Sequence, residues 1–473
     1  GAARGLVQGE PAALRGAEGA GGEAAGRVPR RSRALRTVAH RGGWREVTSA
    51  TIVRPSFHAL RICLAAVALM AAAAVVAAPM GFDEARHLLN RTSFAAGADD
   101  IESFAALTRA QAVDRLLGWA ANTAAGTPAP AWVGDYESPR RLRGLDEEAR
   151  KVALRAQAEK GAELRAWWLA EMVTTPSPLT EKMVLFWHNH FTSSLQKVRS
   201  PVLMYRQHLL LRRHALGRFG EMLHAVARDP AMVVYLDSAS NRKGQPNENF
   251  ARELMELFTL GEGHYGERDV KEAARAFTGW SVEPDTGEFL FRRAAHDDGV
   301  KTVLGRSGTF DGDEVLDLLL AQSQTAEFVV AKLWREFVSP QPDAAEVRRI
   351  ARLFRDSRYD IRVALRALLT ADAFYAPENR AALVKSPVEL IVGTLRQFRV
   401  ETGEMTPFIV WSRQLGQDLF APPNVKGWPG GEAWINSATL LARKQLLERL
   451  FSLPAPRAMP AALTREAADP RAR

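Results

Sequence analysis

Cysteine is nearly absent from this sequence, since Cys63 is the only one among 473 residues. It lies inside an apolar run near the N-terminus, so the chain that follows this run has neither a disulfide nor a reactive thiol. A domain of this size can be held together by its apolar core alone. Cysteine chemistry is therefore excluded from the functions considered for the main part of the chain.

Several motifs of common enzyme classes are also missing. The sequence has no glycine-rich nucleotide-binding loop and no serine nucleophile elbow, which disfavours both classes. The letters at 188–190 match those of the HNH nucleases, but these enzymes need a ββα context, and this stretch follows a helical pattern. The letters at 296–297 match those of the HD phosphohydrolases, whose pair lies within helices, whereas Gly299 and the strand-like residues 301–303 predict a loop. Neither match supports a function.

Excess positive charge is confined to the N-terminal region, although the formal net charge is +9. Residues 1–61 contain eleven arginines and four glutamates, a net charge of +7, which leaves +2 for the rest of the chain. A nearly neutral body does not indicate a polyphosphate partner. We therefore expect no binding to nucleic acid.

A long apolar run is present at 62–78, where the chain is uncharged and rich in alanine. The run is short for a membrane span and ends in small residues, so it predicts a signal peptide over 51–78, with Ala77 as the cleavage position. An uncleaved anchor is the alternative, and it would be the only contact with a membrane. Residues 1–50 are expected to be a disordered leader or a mis-called translation start. The sequence thus predicts an exported protein, in the periplasm or at the cell surface.

Period-2 patterning is scarce, and helical patterns dominate from Phe82 onward. Thr108 and Gln111 form a capping-box pattern, and Ser177 before Pro178 starts another helix. Further helices are predicted at 146–172, 201–228, 247–260, 269–277, 313–337, 344–356, 361–372, 387–399 and 437–451. The best strand candidate is 288–292, with 301–304 as its candidate partner. The expected fold is mainly α: a single large multi-helix domain at 79–451 with a small β-hairpin insertion, followed by a flexible tail at 452–473.

Five unusual strings occur in the helical region. They are 186–191 (FWHNHF), 247–261 (NENFARELMELFTLG), 276–280 (AFTGW), 296–297 (HD) and 422–428 (PPNVKGW). Together and in this order they resemble the bacterial family called domain of unknown function 1800, over about 82–450. The resemblance implies exported proteins that are often encoded beside a second exported family related to sulfatases. It implies no agreed substrate.

The helix predicted at 247–260 carries a polar stripe formed by Asn249, Glu253 and Glu256. Two carboxylates one turn apart, with an amide beside them, can bind a hard cation or share a proton. The alternative is a solvated helix face whose glutamates pair with Arg252 and other basic side chains.

Histidines supply the other candidate ligands. On a continuous helix His188 and His190 diverge by about 200° and cannot reach one metal ion, whereas in an extended segment they share a side. Their alternative fate is to be half-buried and hydrogen-bonded to the backbone. His296 and Asp297 either complete a metal site or form a turn, in which the aspartate bonds its own backbone and Gly299 supplies a positive φ.

Two functions follow as hypotheses. The first is an exported metal-dependent hydrolase with a divalent ion, in which His188, His190, Glu253 and Glu256 are the candidate catalytic residues. Its candidate metal ligands are His188, His190, Asn249, Glu253, Glu256, His296 and Asp297. The second is a non-catalytic partner or scaffold of a sulfatase-like exported protein at the cell envelope. In the second hypothesis the aromatic residues Trp280, Trp428 and Trp434 form an exposed patch, whereas burial would make them anchors of their loops.

Overall fold

The computed structural model describes residues 78–120 and 125–452. The predicted leader at 1–50 lies outside these residues, as do the signal segment except for Ala78 and the tail except for Ser452. The N-terminal half of the described chain consists of α-helices at Gly81–Thr92, Ala98–Ala105, Arg109–Trp119, Pro139–Arg143, Glu147–Thr174, Pro178–His190, Leu195–Val198, Pro201–His214, Phe219–Ala227 and Pro230–Tyr235.

The C-terminal half adds two small hairpins to the helices. An α-helix at Asn249–Glu253 continues as a π-helix at Leu254–Thr259. The strands are Trp280–Val282, Phe289–Phe291, Lys301–Val303 and Arg306–Gly308. The remaining α-helices are Glu267–Ala276, Gly312–Ala321, Ser323–Phe337, Ala344–Asp356, Ile361–Leu369, Asp372–Tyr375, Pro387–Gln397, Thr406–Gln414 and Ser437–Phe451. The predicted mainly α fold is confirmed.

Local capping sequences set several helix starts as predicted. The Thr108 hydroxyl accepts from the backbone N–H of Gln111 at 3.3 Å, and the Thr108 N–H donates to the Gln111 side chain at 3.0 Å, which completes the capping box. Pro178 is the first residue of its helix, after Ser177. The Ser177 hydroxyl, however, contacts the hydroxyl of Thr180 at 2.7 Å instead of a helix N–H.

Two predicted long helices are each divided, and long-range contacts explain where. The helix predicted at 201–228 breaks near Gly217, because Phe219 N–H donates to Tyr359 O at 2.9 Å and Ile361 N–H donates to Gly217 O at 3.0 Å. The helix predicted at 313–337 breaks at Gln322. There the Tyr359 hydroxyl donates to the Leu320 carbonyl at 2.6 Å, a bond that a sequence pattern cannot show.

The predicted pairing of the strand candidates is wrong. Phe289–Phe291 is a strand, but it pairs antiparallel with Trp280–Val282. Phe291 lies opposite Trp280 in this pair. Lys301–Val303 pairs with Arg306–Gly308 instead. Each strand pairs with the strand that is next to it in the sequence. The described chain therefore contains two hairpins in place of the one expected.

One apolar core joins the helices into a compact unit. Trp168, Trp187 and Trp334 are among its largest fully buried side chains. The three tryptophans that were candidates for an exposed patch are also buried: Trp280, Trp428 and Trp434 are 5%, 5% and 4% exposed. They are therefore loop anchors and form no exposed patch.

None of the helices at 78–120 or 125–452 is both long enough and apolar enough to cross a membrane.

Candidate functional site

The helix that carries Glu253 and Glu256 changes its type between these two residues. It is α-helical up to Glu253 and π-helical over Leu254–Thr259, hereafter the π segment. At its end, the N–H of Leu260 donates to a carbonyl five residues back, that of Met255, at 2.9 Å. The π segment is the C-terminal end of this helix, where π turns are known to occur. The two glutamates, hereafter the carboxylate pair, lie on either side of this junction.

The Glu256 side chain is held on two sides. The hydroxyl of Tyr265 donates a hydrogen bond to Glu256 Oε2 at 3.1 Å. The ammonium of Lys426 lies 3.8 Å from Glu256 Oε1 and 3.4 Å from Glu262. Because the Glu256 side chain is only 19% exposed, these contacts fix its orientation.

The Glu253 carboxyl has different surroundings. Burial raises its pKa, and the charge of Glu256 raises it further, against the opposing charges of Arg252 and Lys426. Burial and the hydrogen bond to Glu256 also raise the pKa of Tyr265, to about 12, so its phenol keeps its proton at neutral pH. The pair therefore contains one carboxyl whose pKa is raised and one that accepts a phenol hydrogen bond.

Asn249 lies one helical turn before Glu253 but does not extend the pair as a ligand. Its side-chain amide donates to Asp237 Oδ2 at 3.4 Å. Asp237 has a left-handed φ of 57° and forms an ion pair with Lys197 at 2.7 Å. These contacts make Asp237, Lys197 and Asn249 a polar rim beside the carboxylate pair.

Asn189, the residue between His188 and His190, positions Lys426. Asn189 Oδ1 accepts the backbone N–H of Trp428 at 2.7 Å. Gly427 packs so closely on Asn189 that a Cβ would overlap the amide oxygen and lie 2.9 Å from the carbonyl oxygen, and its φ is +88°. Only glycine allows this approach. The contact holds the loop so that Lys426 reaches Glu256.

His190 secures the end of the π segment. One ring nitrogen, Nε2, lies 3.1 Å from the carbonyl of Phe258, and Nδ1 lies 3.2 Å from Lys332 Nζ. Lys332 also donates to the carbonyl of Leu257 at 3.0 Å. Burial, together with the charge of Lys332, lowers the pKa of His190 well below its usual value. A neutral His190 that donates through Nε2 and accepts at Nδ1 satisfies both contacts, so its role here is to cap helix carbonyls.

His188 lies in a different environment. It is 3% exposed, and its Nε2 lies 3.3 Å from His208 Nδ1, with the Trp168 ring against it at 4.7 Å. Burial lowers the pKa of His188 to about 3. The helix Pro178–His190 is continuous, so the two histidines point to different partners, as the 200° divergence predicts for a helix. The expectation that they share one site is wrong.

His296 and Asp297 form the turn that was the alternative to a metal site. His296 Nδ1 lies 2.9 Å from the carbonyl of Thr278. Asp297 accepts the N–H of Gly299 at 2.9 Å and pairs with Arg275 at 2.8 Å, whose guanidinium is the main cause of an Asp297 pKa near 2. The expected positive φ of Gly299 is wrong. A Cβ there would lie 2.8 Å from the Arg275 guanidinium, so a larger residue would have to displace the end of that flexible side chain.

The candidate ligands do not surround one metal ion. Within 78–120 and 125–452, no three His, Cys, Asp or Glu side chains are placed to hold a metal together. The carboxylate pair and Asn249 remain, but the Asn249 amide is engaged with Asp237, and the Lys426 ammonium lies beside the pair. A hard cation takes six or more oxygen ligands, and this arrangement offers few. The described residues therefore do not bring the predicted ligands together around one ion.

Some residues that complete the site were not among the candidates predicted from the sequence. Asn189 and Lys426 lie within two of the unusual strings, at 186–191 and 422–428. Their place in these strings could have marked them as candidate site residues. Tyr265 and Lys332 had no such signal, because their contacts join residues 9 and 142 positions apart. Arg252 forms its ion pairs with Glu248 at 3.0 Å and with Glu267 at 2.8 Å. Glu256 pairs instead with another basic side chain, Lys426, as the alternative of a salt-bridged helix face also expects.

Comparison with known families supports the resemblance. A family model described as protein of unknown function (DUF1800) matches residues 87–472. No curated protein and no solved structure matches the chain. The match covers most of the sequence and includes all five strings. The chain therefore belongs to the family of proteins of unknown function called domain of unknown function 1800.

Proposed function

We propose that this protein is an exported hydrolase that acts by general acid–base catalysis at the carboxylate pair, without a bound metal. The observation that carries this proposal is the unequal environment of two carboxyl groups on neighbouring turns. Burial and its neighbour raise the pKa of Glu253, while Glu256 accepts the Tyr265 hydroxyl beside Lys426. Carboxyl pairs whose surroundings differ in this way divide the acid and base roles between them.

The reaction follows from these roles. Glu253 donates its proton to the leaving oxygen of an ester or glycosidic bond, while Glu256 accepts a proton from the attacking water. The water oxygen forms the new bond as the old carbon–oxygen bond breaks, and the two carboxyl groups end with their protonation states exchanged. Exchange with solvent restores both. Lys426 and Tyr265 hold Glu256 in place during this transfer. Export is supported by the predicted signal peptide.

A hydrolysis assay tests the proposal. The full chain is incubated with nitrophenyl esters and nitrophenyl glycosides, with and without chelator. We expect at least one substrate to be cleaved at the same rate in both conditions. Glu253→Gln and Glu256→Gln should each reduce kcat by roughly 10²- to 10⁴-fold, the usual contribution of a positioned acid or base.

Glu262→Gln is the matched control, because Glu262 also contacts Lys426 but is 74% exposed. It should retain the rate of the unaltered protein. Absence of cleavage in every arm, loss of activity with chelator, or equal rates in all three variants would each exclude this mechanism.

The second candidate function is a non-catalytic partner of a sulfatase-like exported protein at the cell envelope. One observation favours it: the helix Ser437–Phe451 exposes Leu440, Leu441 and Phe451 by 58%, 56% and 57%. Exposed apolar side chains on one helix suit contact with another protein. Co-expression with the sulfatase-like neighbour tests this candidate. It predicts a complex that Leu440→Glu and Leu441→Glu disrupt, and separate elution of the two proteins would rule it out.

A further inference from the structure

Lys332 is not used by the proposed hydrolase mechanism, and its contacts differ from those of a surface lysine. It belongs to the helix Ser323–Phe337 and is half-buried. Its Nζ lies 3.0 Å from the carbonyl oxygen of Leu257 and 3.2 Å from His190 Nδ1. None of the ion pairs within 78–120 and 125–452 includes Lys332. A lysine that has lost water without gaining a counterion favours its neutral form.

The hydrogen bonds of His190 fix which of its ring nitrogens carries the proton. The Phe258 carbonyl, 3.1 Å from Nε2, can only accept, so Nε2 is the protonated nitrogen. Burial lowers the pKa of His190 well below its usual value, so the ring is neutral at neutral pH and has a lone pair at Nδ1. His190 is therefore a base that faces the amine of Lys332, and the Phe258 carbonyl holds it in that orientation.

The amine of Lys332 is placed as a nucleophile. In its neutral form it has two protons and one lone pair. The Leu257 carbonyl and His190 Nδ1 accept the two protons, which leaves the lone pair free to attack a carbon atom. Burial, with a smaller contribution from the charge of Arg335, lowers the pKa of Lys332 to about 7, so much of the amine is neutral at neutral pH. A nucleophile within reach of a base that a third group orients is the arrangement of covalent catalysis.

The two sides of this amine differ in their access to solvent. His190 is 2% exposed, whereas Leu257 and Phe328 are half-buried. The centroid of the Phe328 ring lies 5.1 Å from Lys332 Nζ. The base thus lies on the inner side of the amine, and partly exposed apolar side chains border its outer side. These surroundings suit a small reactant with a carbonyl carbon and a short apolar body.

We infer that Lys332 forms a Schiff base with a small aldehyde or ketone, with His190 as the base. The lone pair of Nζ bonds to the carbonyl carbon as the carbon–oxygen double bond opens. One amine proton passes to His190 Nδ1 and from there to the oxygen. Both amine protons finally leave with the oxygen as water, and a carbon–nitrogen double bond remains. The inference does not depend on the proposed hydrolase.

Reductive trapping on the full chain tests the inference, with propanal as the probe. Cyanoborohydride reduces a Schiff base to a stable secondary amine, and peptide mass spectrometry locates it. At pH 7 we expect Lys332 to be modified at least ten times faster than Lys385. Lys385 is the matched control, because it is more exposed and partial burial also lowers its pKa, but no histidine contacts it among the described residues.

His190→Gln separates the action of the base from access to the amine. Glutamine has an amide that can donate to the Phe258 carbonyl, but it takes up no proton at neutral pH. Trapping at Lys332 should therefore slow at least tenfold, in line with the loss of a positioned base, while trapping at Lys385 stays unchanged.

Circular dichroism shows whether this variant is folded, and if it is not, the ratio of the two lysines in the unaltered chain decides. Absence of modification at Lys332, or modification no faster than at Lys385, would overturn the inference. An unchanged rate at Lys332 in folded His190→Gln would overturn it as well.

Discussion

At the scale of single residues, the fold contains a buried cation whose partners come from distant helices. Lys182 is 3% exposed, forms an ion pair with Glu389, and lies 3.5 Å from Glu336. A buried ion pair adds little net stability over an apolar replacement of all its members, but removing one member leaves an uncompensated charge. This asymmetry makes Lys182 a residue at which substitution should be severe.

Lys182→Met is expected to reduce the free energy of unfolding by about 3 kcal/mol, the lower end of the range for a fully buried pair, because two half-buried carboxylates lose their main cation. Chemical denaturation of the variant and the unaltered chain measures this difference. Lys151→Met is the matched control, since Lys151 is 57% exposed and pairs with Glu147 and Glu148 on a helix surface. Its effect should be at most about 0.5 kcal/mol. Equal effects in the two variants would contradict the prediction.

At the scale of elements, the loop before Trp428 and the π segment form the candidate site together. Asn189 receives the loop at Trp428, and Lys426 of the same loop reaches Glu256. The site therefore depends on the conformation of this loop, which lies about 170 residues after the glutamates along the chain. The close contact between Gly427 and Asn189 fixes that conformation. A change that moves this loop should impair the site without touching either carboxyl group.

Gly427→Ala should lower both stability and any activity of the carboxylate pair, because the new Cβ overlaps Asn189 and the φ of +88° disfavours alanine. Strain of this kind costs of order 1–3 kcal/mol, which thermal unfolding detects. Gly430→Ala serves as the control, since Gly430 has a φ of +70° but nothing within 4 Å of its Cβ position. The difference between the variants isolates the contact with Asn189. If both lose the same stability, the close approach has no separate role.

At the scale of the whole molecule, buried titratable groups make stability depend on pH in two opposite directions. Burial lowers the pKa of His188 to about 3 and that of His208 well below 6.5. The unfolded chain then binds more protons, so this contribution reduces stability as pH falls from about 6.5. Burial raises the pKa of Asp229 to about 7, from 3.8. There the folded chain binds more protons, so this contribution increases stability as pH falls from 7 towards 4.

Asp229→Asn should therefore make the protein lose stability more steeply on acidification, because the compensating carboxyl is gone while the histidines remain. Asparagine keeps an acceptor for the N–H of Met232, which the Asp229 side chain caps at 2.9 Å. The stability difference between the two proteins should change by roughly 2–3 kcal/mol between pH 5 and pH 7.5, since one unit of pKa corresponds to about 1.4 kcal/mol. Unfolding midpoints over this range measure it. Parallel curves would show that Asp229 does not titrate as stated.

Much of the secondary structure could be predicted from the sequence, whereas the site could be predicted only in part. The capping box at Thr108 and the helix start at Pro178 involve neighbouring residues, so the sequence contains all the information they need. The carboxylate pair was also visible, because Glu253 and Glu256 lie on one helix. The hairpin partners and the divided helices were not, since they depend on contacts between distant segments.

The sequence by itself determined the helical class, the family and the residues that carry polar chemistry, because periodicity, capping and motif strings are local properties. The tertiary structure decided what those residues face. It separated His188 from His190 and placed Lys426 beside Glu256. It also buried the Ser281 hydroxyl without a hydrogen-bond partner among the described residues. Each of these outcomes depends on burial and on groups brought together by packing, which no local pattern specifies.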